Sequence, residues 1–210
     1  MKKGFDIHNY KNRYKNAFEF FEKREMNEEN KETIKSFLRY CEVDGIGLPR
    51  RERYLNVLPR WSDKLDCDFR TATKDDIIRV VSEVQNNPKL KPYTIATYKA
   101  MLKRFYKWLL GNDEEYPDII KWIKCKIKKH EIPQLTNEEL LTEEEVMSMI
   151  QNADHPRDKA LIAVVYESGC RIGEIGSLQL ENVHIDEHGA KLEVKDKTEL
   201  KSVFKLINEK

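Results

Sequence analysis

The sequence lacks the long apolar segments that mark membrane and secreted proteins. No stretch approaches the roughly 20 consecutive apolar residues of a transmembrane helix. The N-terminal Met-Lys-Lys-Gly is followed by polar residues and not by the apolar core of a signal peptide. We therefore expect a soluble, cytoplasmic chain with no membrane partner.

Cysteine and histidine are also too few and too scattered to form a recognisable metal site. The four cysteines include no Cys-x-x-Cys pair, and the five histidines include no i, i+4 pair on a predicted helix, since His184 and His188 lie in a predicted hairpin. Cysteines placed in this way are typical of reduced structural thiols, without a disulfide framework or a zinc site. The sequence therefore predicts no metal.

Charge is abundant but unevenly distributed. Positions 1–130 hold 29 lysines and arginines against 20 acids, a balance of +9, whereas positions 131–210 hold 9 against 17, a balance of −8. With 210 residues and 40% hydrophobic content, the chain can bury one sizeable core or two small ones, and we predict two. A basic first part is a candidate binder of nucleic acid, although similar surfaces occur on proteins that bind no polyanion.

Hydrophobic periodicity predicts that the first part is entirely helical. Between Phe5 and Phe21 aromatic residues recur three to five positions apart, which favours a helix packed on its own domain over a base-stacking platform. Thr73 and Asp76 have the spacing of a capping box at a helix start. The predicted helices cover 9–24, 27–44, 49–65, 74–85 and 93–110.

A basic segment follows this predicted bundle. Gly111 to Glu115 marks its end, and Pro117 begins a short helical piece over 118–123. Residues 121–129, KWIKCKIKK, then interleave five lysines with apolar side chains. A solvated connector is the simplest interpretation of this segment.

The second part begins with a strong helix start and then mixes helix with strand. Thr142 and Glu145 form a capping box before a helix over 143–151. The apolar run 160–166 predicts a buried helix, which Gly169 ends because glycine adopts positive φ without steric cost. A second amphipathic helix over 172–180 follows. Three predicted antiparallel strands come last, at 182–186, 190–195 and 201–207.

Arg171 stands at the turn between the two helices. A guanidinium is always protonated and offers a planar fork of donors that suits a phosphate or a carboxylate. Glu174, three residues later, lies on the same helical face and can orient Arg171. The alternative is a solvated surface ion pair of little energetic value.

The residues around Arg171 resemble the first box of the tyrosine recombinase, or phage integrase, family. The box combines a small residue, Gly, an apolar residue, Arg, Ile, Gly or Ser, Glu and Leu, and here it reads Ser-Gly-Cys-Arg-Ile-Gly-Glu-Ile over 168–175, with Leu178 following. The run 92–109 is similar to the last large helix of the family's core-binding domain, and 30–41 to its opening helix. The order of these segments is similar to that of Xer-like, archaeal-type integrases.

The resemblance implies a fold and a domain order. We expect a mainly α protein: a helical-bundle, SAM-like core-binding domain that clamps duplex DNA, followed by the first, α+β part of a catalytic domain with a short antiparallel sheet. The implied boundaries are an N-terminal helical extension at 1–28, the core-binding domain at 29–111, a basic linker at 112–140 and the incomplete catalytic part at 141–210. The implied DNA contacts are Thr94, Lys99, Lys103, Arg104, Lys107, Lys124, Lys126, Lys128 and Lys129.

The resemblance also implies a chemistry that needs no cofactor. In the family a tyrosine attacks the scissile phosphate, arginines stabilise the developing charge and a lysine protonates the departing 5′ oxygen. Arg171 would be the first arginine, Glu174 its support and Lys197 the general acid. Lys195 and Lys201 are competing assignments for Lys197, since register in short strands is easily misjudged.

This sequence departs from the family pattern after Lys197. The His-x-x-Arg box and the nucleophilic tyrosine are missing, and all nine tyrosines precede Arg171. One hypothesis is the DNA-binding and partial catalytic portion of a site-specific recombinase, which would work with other recombinase subunits on DNA. The other is a non-catalytic DNA-binding regulator derived from an integrase. The coding sequence beyond codon 210 discriminates between the two.

Overall fold

The computed structural model describes residues 8–111, 115–128, 132, 136–187, 189–195 and 200–203 of the chain. It divides into two compact units. The helical unit is Asn9–Pro133, and the second unit comprises the described residues after position 133 together with His8. The predicted mainly α architecture with a short antiparallel sheet is confirmed.

The described residues of the helical unit form six helices. α4 begins at the predicted capping box: the Thr73 N–H donates to Asp76 Oδ2 at 2.9 Å and the Asp76 N–H donates to Thr73 Oγ1 at 3.3 Å. Hydrogen bonds from the hydroxyl and backbone of Thr73 hold the pKa of the Asp76 carboxyl below its usual range. The bounds are α1 Tyr10–Lys23, α2 Glu28–Val43, α3 Leu48–Ser62, α4 Lys74–Gln85, α5 Pro92–Leu110 and α6 Asp118–Lys121.

An aromatic cluster lies at the centre of the helical unit. The ring centroid of Phe37 lies 4.8 Å from that of Tyr54 and 5.2 Å from that of Phe105, both edge to face. Phe69 packs on Phe105 at 4.8 Å. Edge-to-face rings are favoured over parallel sandwiches, so this cluster locks α2, α3 and α5 together.

The aromatic stripe of α1 faces this core, as predicted. Phe21 is buried, and Tyr14 and Phe18 pack against the core cluster, while α1 itself lies against α3. Phe20 lies outside this stripe, and 67% of its surface is exposed. Helix α1 is therefore an integral layer of the helical unit.

One buried amide ties three segments of the helical unit together. Asn30 of α2 is 1% exposed. Its Nδ2 donates to Ser62 Oγ at 2.9 Å and to the Cys67 carbonyl at 3.3 Å, and its Oδ1 accepts from the Phe69 N–H at 2.7 Å. These bonds hold the loop after α3 in the position that lets Phe69 enter the aromatic core.

Where the chain after position 133 is described, it forms three α-helices and a small sheet. The predicted capping box is present, since the Glu145 N–H donates to Thr142 Oγ1 at 3.3 Å. The strands run antiparallel in the order β1-β2-β3, with Leu192 and Val194 of β2 buried. The elements are α7 Glu143–Asn152, α8 Pro156–Ser168, α9 Ile172–Gly176, β1 Val183–Asp186, β2 Gly189–Lys195 and β3 Leu200–Val203.

Two predictions for the second unit are wrong. Helix α8 was expected to be buried, but none of its residues is, and 47% of Tyr166 is exposed. Among the described residues α8 packs mainly on α7, and this contact leaves the apolar residues of α8 half-buried or exposed. Helix α9 ends at Gly176 and not at Leu180, because Gly176 and Ser177 are poor helix formers and a 3-10 turn follows at Leu180–Asn182.

Candidate functional site

The predicted DNA-contacting lysines of α5 form one stripe along the helix. Lys99, Lys103 and Lys107 follow each other at intervals of four residues, so they lie above one another on one face. All three are half-buried. Lys99 donates to the Gln85 side chain at the end of α4, and Lys103 donates to the Ile123 carbonyl at 3.1 Å. Thr94 lies in the first turn of the same helix.

The basic segment after α5 is docked against this stripe. Ile120 and Ile123 are fully or almost fully buried in the core of the helical unit. The chain that leads to them runs back along α5, and Tyr116 lies there beside Lys103 and Lys107. The first part of the predicted linker is thus packed on the helical bundle and is not a free connector.

A cavity of about 50 Å³ marks the place where this segment meets the start of α5. Lys99 from the helix and Lys124 and Lys126 from the segment all line it, together with Cys125. Burial raises the pKa of the Cys125 thiol, so the thiol stays neutral and does not balance the nearby ammonium charges. The cavity therefore has a positively charged rim built from two segments.

The remaining predicted DNA contacts differ in their surroundings. Lys128 is exposed, and Lys129 lies outside the described residues. Arg104 is occupied within the fold: its Nη2 forms an ion pair with Asp44 at 2.8 Å and donates to the Tyr40 hydroxyl at 3.2 Å. We therefore regard Arg104 as a link between α5 and α2.

Tyr116 and Gln85 are neighbours of the basic stripe that the sequence analysis missed. Gln85 is the acceptor for Lys99, and Tyr116 lies under two lysines. Neither residue lies in α5, so the helical spacing of the lysines does not point to them. Only the return of the chain along α5 brings Tyr116 to the lysines.

In the second unit, Arg171 stands at the predicted turn. Gly169 ends α8 in the left-handed region with φ 59°, and the Cys170 N–H donates to Ser168 Oγ at 3.2 Å. Arg171 is then the residue that precedes α9. Contrary to the prediction, the helix that delivers it is not buried, but the turn geometry is as expected.

Glu174 fixes the orientation of Arg171 at two points. Its Oε2 accepts from the Arg171 N–H at 2.8 Å, and its Oε1 accepts from Arg171 Nη1 at 2.6 Å. The Glu174 side chain is 15% exposed, whereas that of Arg171 is 71% exposed. A shielded carboxylate thus holds a guanidinium that faces solvent, which is an arrangement suited to an anionic ligand.

The candidate general acid Lys197 lies outside the described residues. The backbone of its two competitors is placed: Lys195 pairs with Leu200, and Lys201 pairs with Val194, in the β2–β3 ladder. Helix α9 contacts β2, so the helix that follows Arg171 lies beside the strand that leads to Lys197. The choice among the three lysines stays open.

Other site types are not found where the structure describes the chain. No group of three or more His, Cys, Asp or Glu side chains in these parts is arranged to hold a metal ion. The cysteines at 41, 67, 125 and 170 are free thiols. Within the same ranges, no helix combines the length and the apolar character needed to cross a membrane.

Comparison with known proteins finds similarity to one family. Residues 139–208 match the model of the phage integrase family. Tyrosine recombinase XerA of Pyrococcus horikoshii is 24% identical over 161 residues, covering 75% of this chain and 50% of the relative. Tyrosine recombinase XerD of Listeria monocytogenes is also 24% identical over 161 residues, covering 72% and 53%.

A solved structure of XerA recombinase aligns with 84% of this chain and 59% of its own, at 19% identity and a TM-score of 0.39. The chain spans about half the length of the curated relatives it matches. The family match covers the Arg171 box, and the relatives extend the similarity to about three quarters of the chain. The chain is thus similar to members of the tyrosine recombinase family.

Proposed function

We propose that this chain is the DNA-binding and partial catalytic portion of a recombinase that acts in site-specific DNA recombination or integration. The observation that carries the proposal is the docked basic segment, which adds the lysines after α6 to the lysine stripe of α5. The helical unit would bind duplex DNA through this combined surface, and the second unit would present Arg171 to a phosphate.

A row of ammonium groups on a folded surface suits duplex DNA better than a small anion. DNA offers phosphates at regular intervals, and each phosphate that a lysine neutralises releases bound counterions. Lys99, Lys124 and Lys126 surround one cavity, while Lys103 and Lys107 continue the row along α5. Contacts of this type set position and affinity without reading bases, so we expect weak sequence preference from this surface.

Arg171 would take part in the strand-cleavage chemistry of the family. The Glu174 carboxylate holds the guanidinium in one orientation before a ligand arrives, which lowers the entropic cost of binding a phosphate. An oriented positive charge stabilises the negative charge that develops on phosphate oxygens during transfer. The nucleophilic tyrosine and the His-x-x-Arg box would be supplied from outside these 210 residues, by further chain or by another recombinase subunit.

Matched charge variants test the DNA-binding surface. The basic segment exposes three lysines, Lys124, Lys126 and Lys128. Helix α1, which packs on α3 and not on α5, exposes three others, Lys11, Lys15 and Lys23. Changing the first three to Gln should weaken duplex binding about tenfold or more and should make the log-log salt slope less negative by about 2.7. Changing the second three to Gln removes the same charge and should leave both quantities nearly unchanged.

Equal effects of the two triple variants would contradict the proposed surface. That result would mean that net charge alone, and not the docked segment, governs binding. Thermal melting of both variants controls for folding. Fluorescence anisotropy with two duplexes of unrelated sequence checks that the loss is uniform across sequences.

A further inference from the structure

One tyrosine ring in the helical unit carries two lysine ammonium groups. The Nζ atom of Lys103 lies 4.4 Å from the centroid of the Tyr116 ring, and that of Lys107 lies 5.5 Å from it. Lys103 Nζ also donates to the Ile123 carbonyl at 3.1 Å. Tyr116 is 42% exposed, and both lysines are half-buried. The three side chains therefore form a small, ordered and positively charged cluster.

This arrangement is unusual because like charges one helical turn apart repel each other. Lysines at i, i+4 reduce that repulsion by pointing away into solvent, yet both of these fold over the same ring. Neither forms an ion pair with a carboxylate in the described parts of the chain. The electron-rich face of the ring attracts both ammonium groups and holds them, but it leaves their net charge unbalanced.

We propose that Tyr116 positions Lys103 and Lys107 as a receptor for one backbone phosphate of duplex DNA. This inference rests on the proposed DNA-binding function. The two ammonium groups supply charge and donors, and a phosphate between them relieves their repulsion. Lys99, Lys124 and Lys126 continue the positive surface beyond this cluster, which fits the repeated phosphates of a duplex better than a single carboxylate.

Tyr116 acts here through the lysines, so it is a positioning residue. The face of its ring holds the ammonium groups, and the hydroxyl forms no part of the argument. Tyr116→Phe keeps that face and should retain the wild-type affinity for DNA. Tyr116→Leu keeps an apolar side chain of useful size but removes the ring, and it should weaken duplex binding about fivefold or more.

The experiment uses the whole 210-residue chain and a fluorescein-labelled duplex, titrated by anisotropy between about 50 and 200 mM salt. For Tyr116→Leu the log-log salt slope should become less negative by about 0.9, the value for one phosphate contact. For Tyr116→Phe the slope should equal that of the wild type. In a background of Lys103→Gln and Lys107→Gln, adding Tyr116→Leu should cause no further loss, because the ring then has no ammonium group to position.

Three results would overturn the proposal. The first is wild-type affinity and slope in Tyr116→Leu. The second is an equal loss in Tyr116→Phe, and the third is a full additional loss in the double-lysine background.

If Tyr116→Leu melts at a lower temperature, Lys107→Gln replaces it, and unchanged binding of that variant refutes the receptor. A wild-type chain that shows no salt-dependent binding removes the proposed function and this inference together, whereas wild-type binding with an unaffected Tyr116→Leu removes the inference alone.

Discussion

Replacing Asn30 with Leu should destabilise the helical unit strongly. Leu branches at the same carbon as Asn but is larger, so the change creates no cavity, removes the hydrogen-bonding groups and adds some overpacking. The Phe69 N–H, the Ser62 hydroxyl and the Cys67 carbonyl then lose their hydrogen-bond partner. Asn30 is only 1% exposed, so water cannot easily replace it. A buried polar group left unpaired costs about 1–3 kcal/mol.

The Cys67 bond is long at 3.3 Å and contributes least. We therefore expect a loss of roughly 3–5 kcal/mol in the free energy of unfolding. That is a large part of the ordinary 5–15 kcal/mol of a folded domain, and it corresponds to a fall in melting temperature of about 10 °C or more.

Urea denaturation followed by tryptophan fluorescence measures this loss directly. All three tryptophans, Trp61, Trp108 and Trp122, lie in the helical unit, so the signal reports that unit alone. The matched control is Asn56→Leu, since Asn56 is exposed on α3, and it should change the unfolding free energy by no more than about 0.5 kcal/mol. A loss below about 1 kcal/mol for Asn30→Leu, with an unchanged urea dependence, would refute the role of Asn30 as a structural link.

Two further predictions concern reactive groups. Burial raises the pKa of the Cys41 thiol to about 11, so only about one thiol in a thousand is ionised at pH 8, and Cys41 should be alkylated only after unfolding. Peptide mass mapping locates the label, and rapid labelling of Cys41 in the native chain would contradict its burial. The chain alone should form no covalent adduct with a nicked suicide duplex, because its nine tyrosines all precede Arg171. Supplying the His-x-x-Arg and tyrosine region of a relative should restore the adduct, and Arg171→Ala should then abolish it. Protein-linked DNA from the chain alone, seen on a denaturing gel, would show that a nucleophile is already present.

Features governed by neighbouring residues could be predicted from the sequence. The capping boxes at Thr73 and Thr142, the end of α8 at Gly169 and the Arg171–Glu174 pair all join residues within one helical turn. Their geometry depends on local hydrogen bonds and on the freedom of glycine, which the sequence pattern contains. The helices of the first part were predictable for the same reason, since hydrophobic periodicity is a local property.

Features that join distant residues could not be predicted in this way. Arg104 and Asp44 are 60 residues apart in the chain, and only the packing of α5 on α2 makes them an ion pair. The docking of the basic segment depends on the burial of Ile120 and Ile123, which a lysine-rich pattern conceals. The incomplete burial of α8 could not be predicted either. An apolar sequence predicts that a helix is buried, but it does not show which segment packs against it.

The affinity of the 210-residue chain for duplex DNA, measured across a salt series, tests whether the helical unit carries an ordered lysine surface. Six lysines form this surface, Lys99, Lys103, Lys107, Lys124, Lys126 and Lys128, and they neutralise five phosphates because Lys103 and Lys107 share one. At about −0.9 per neutralised phosphate, the plot of log association constant against log salt should be a straight line with a slope of about −4.5. An affinity that does not change over the same salt range would contradict the proposed DNA-binding surface.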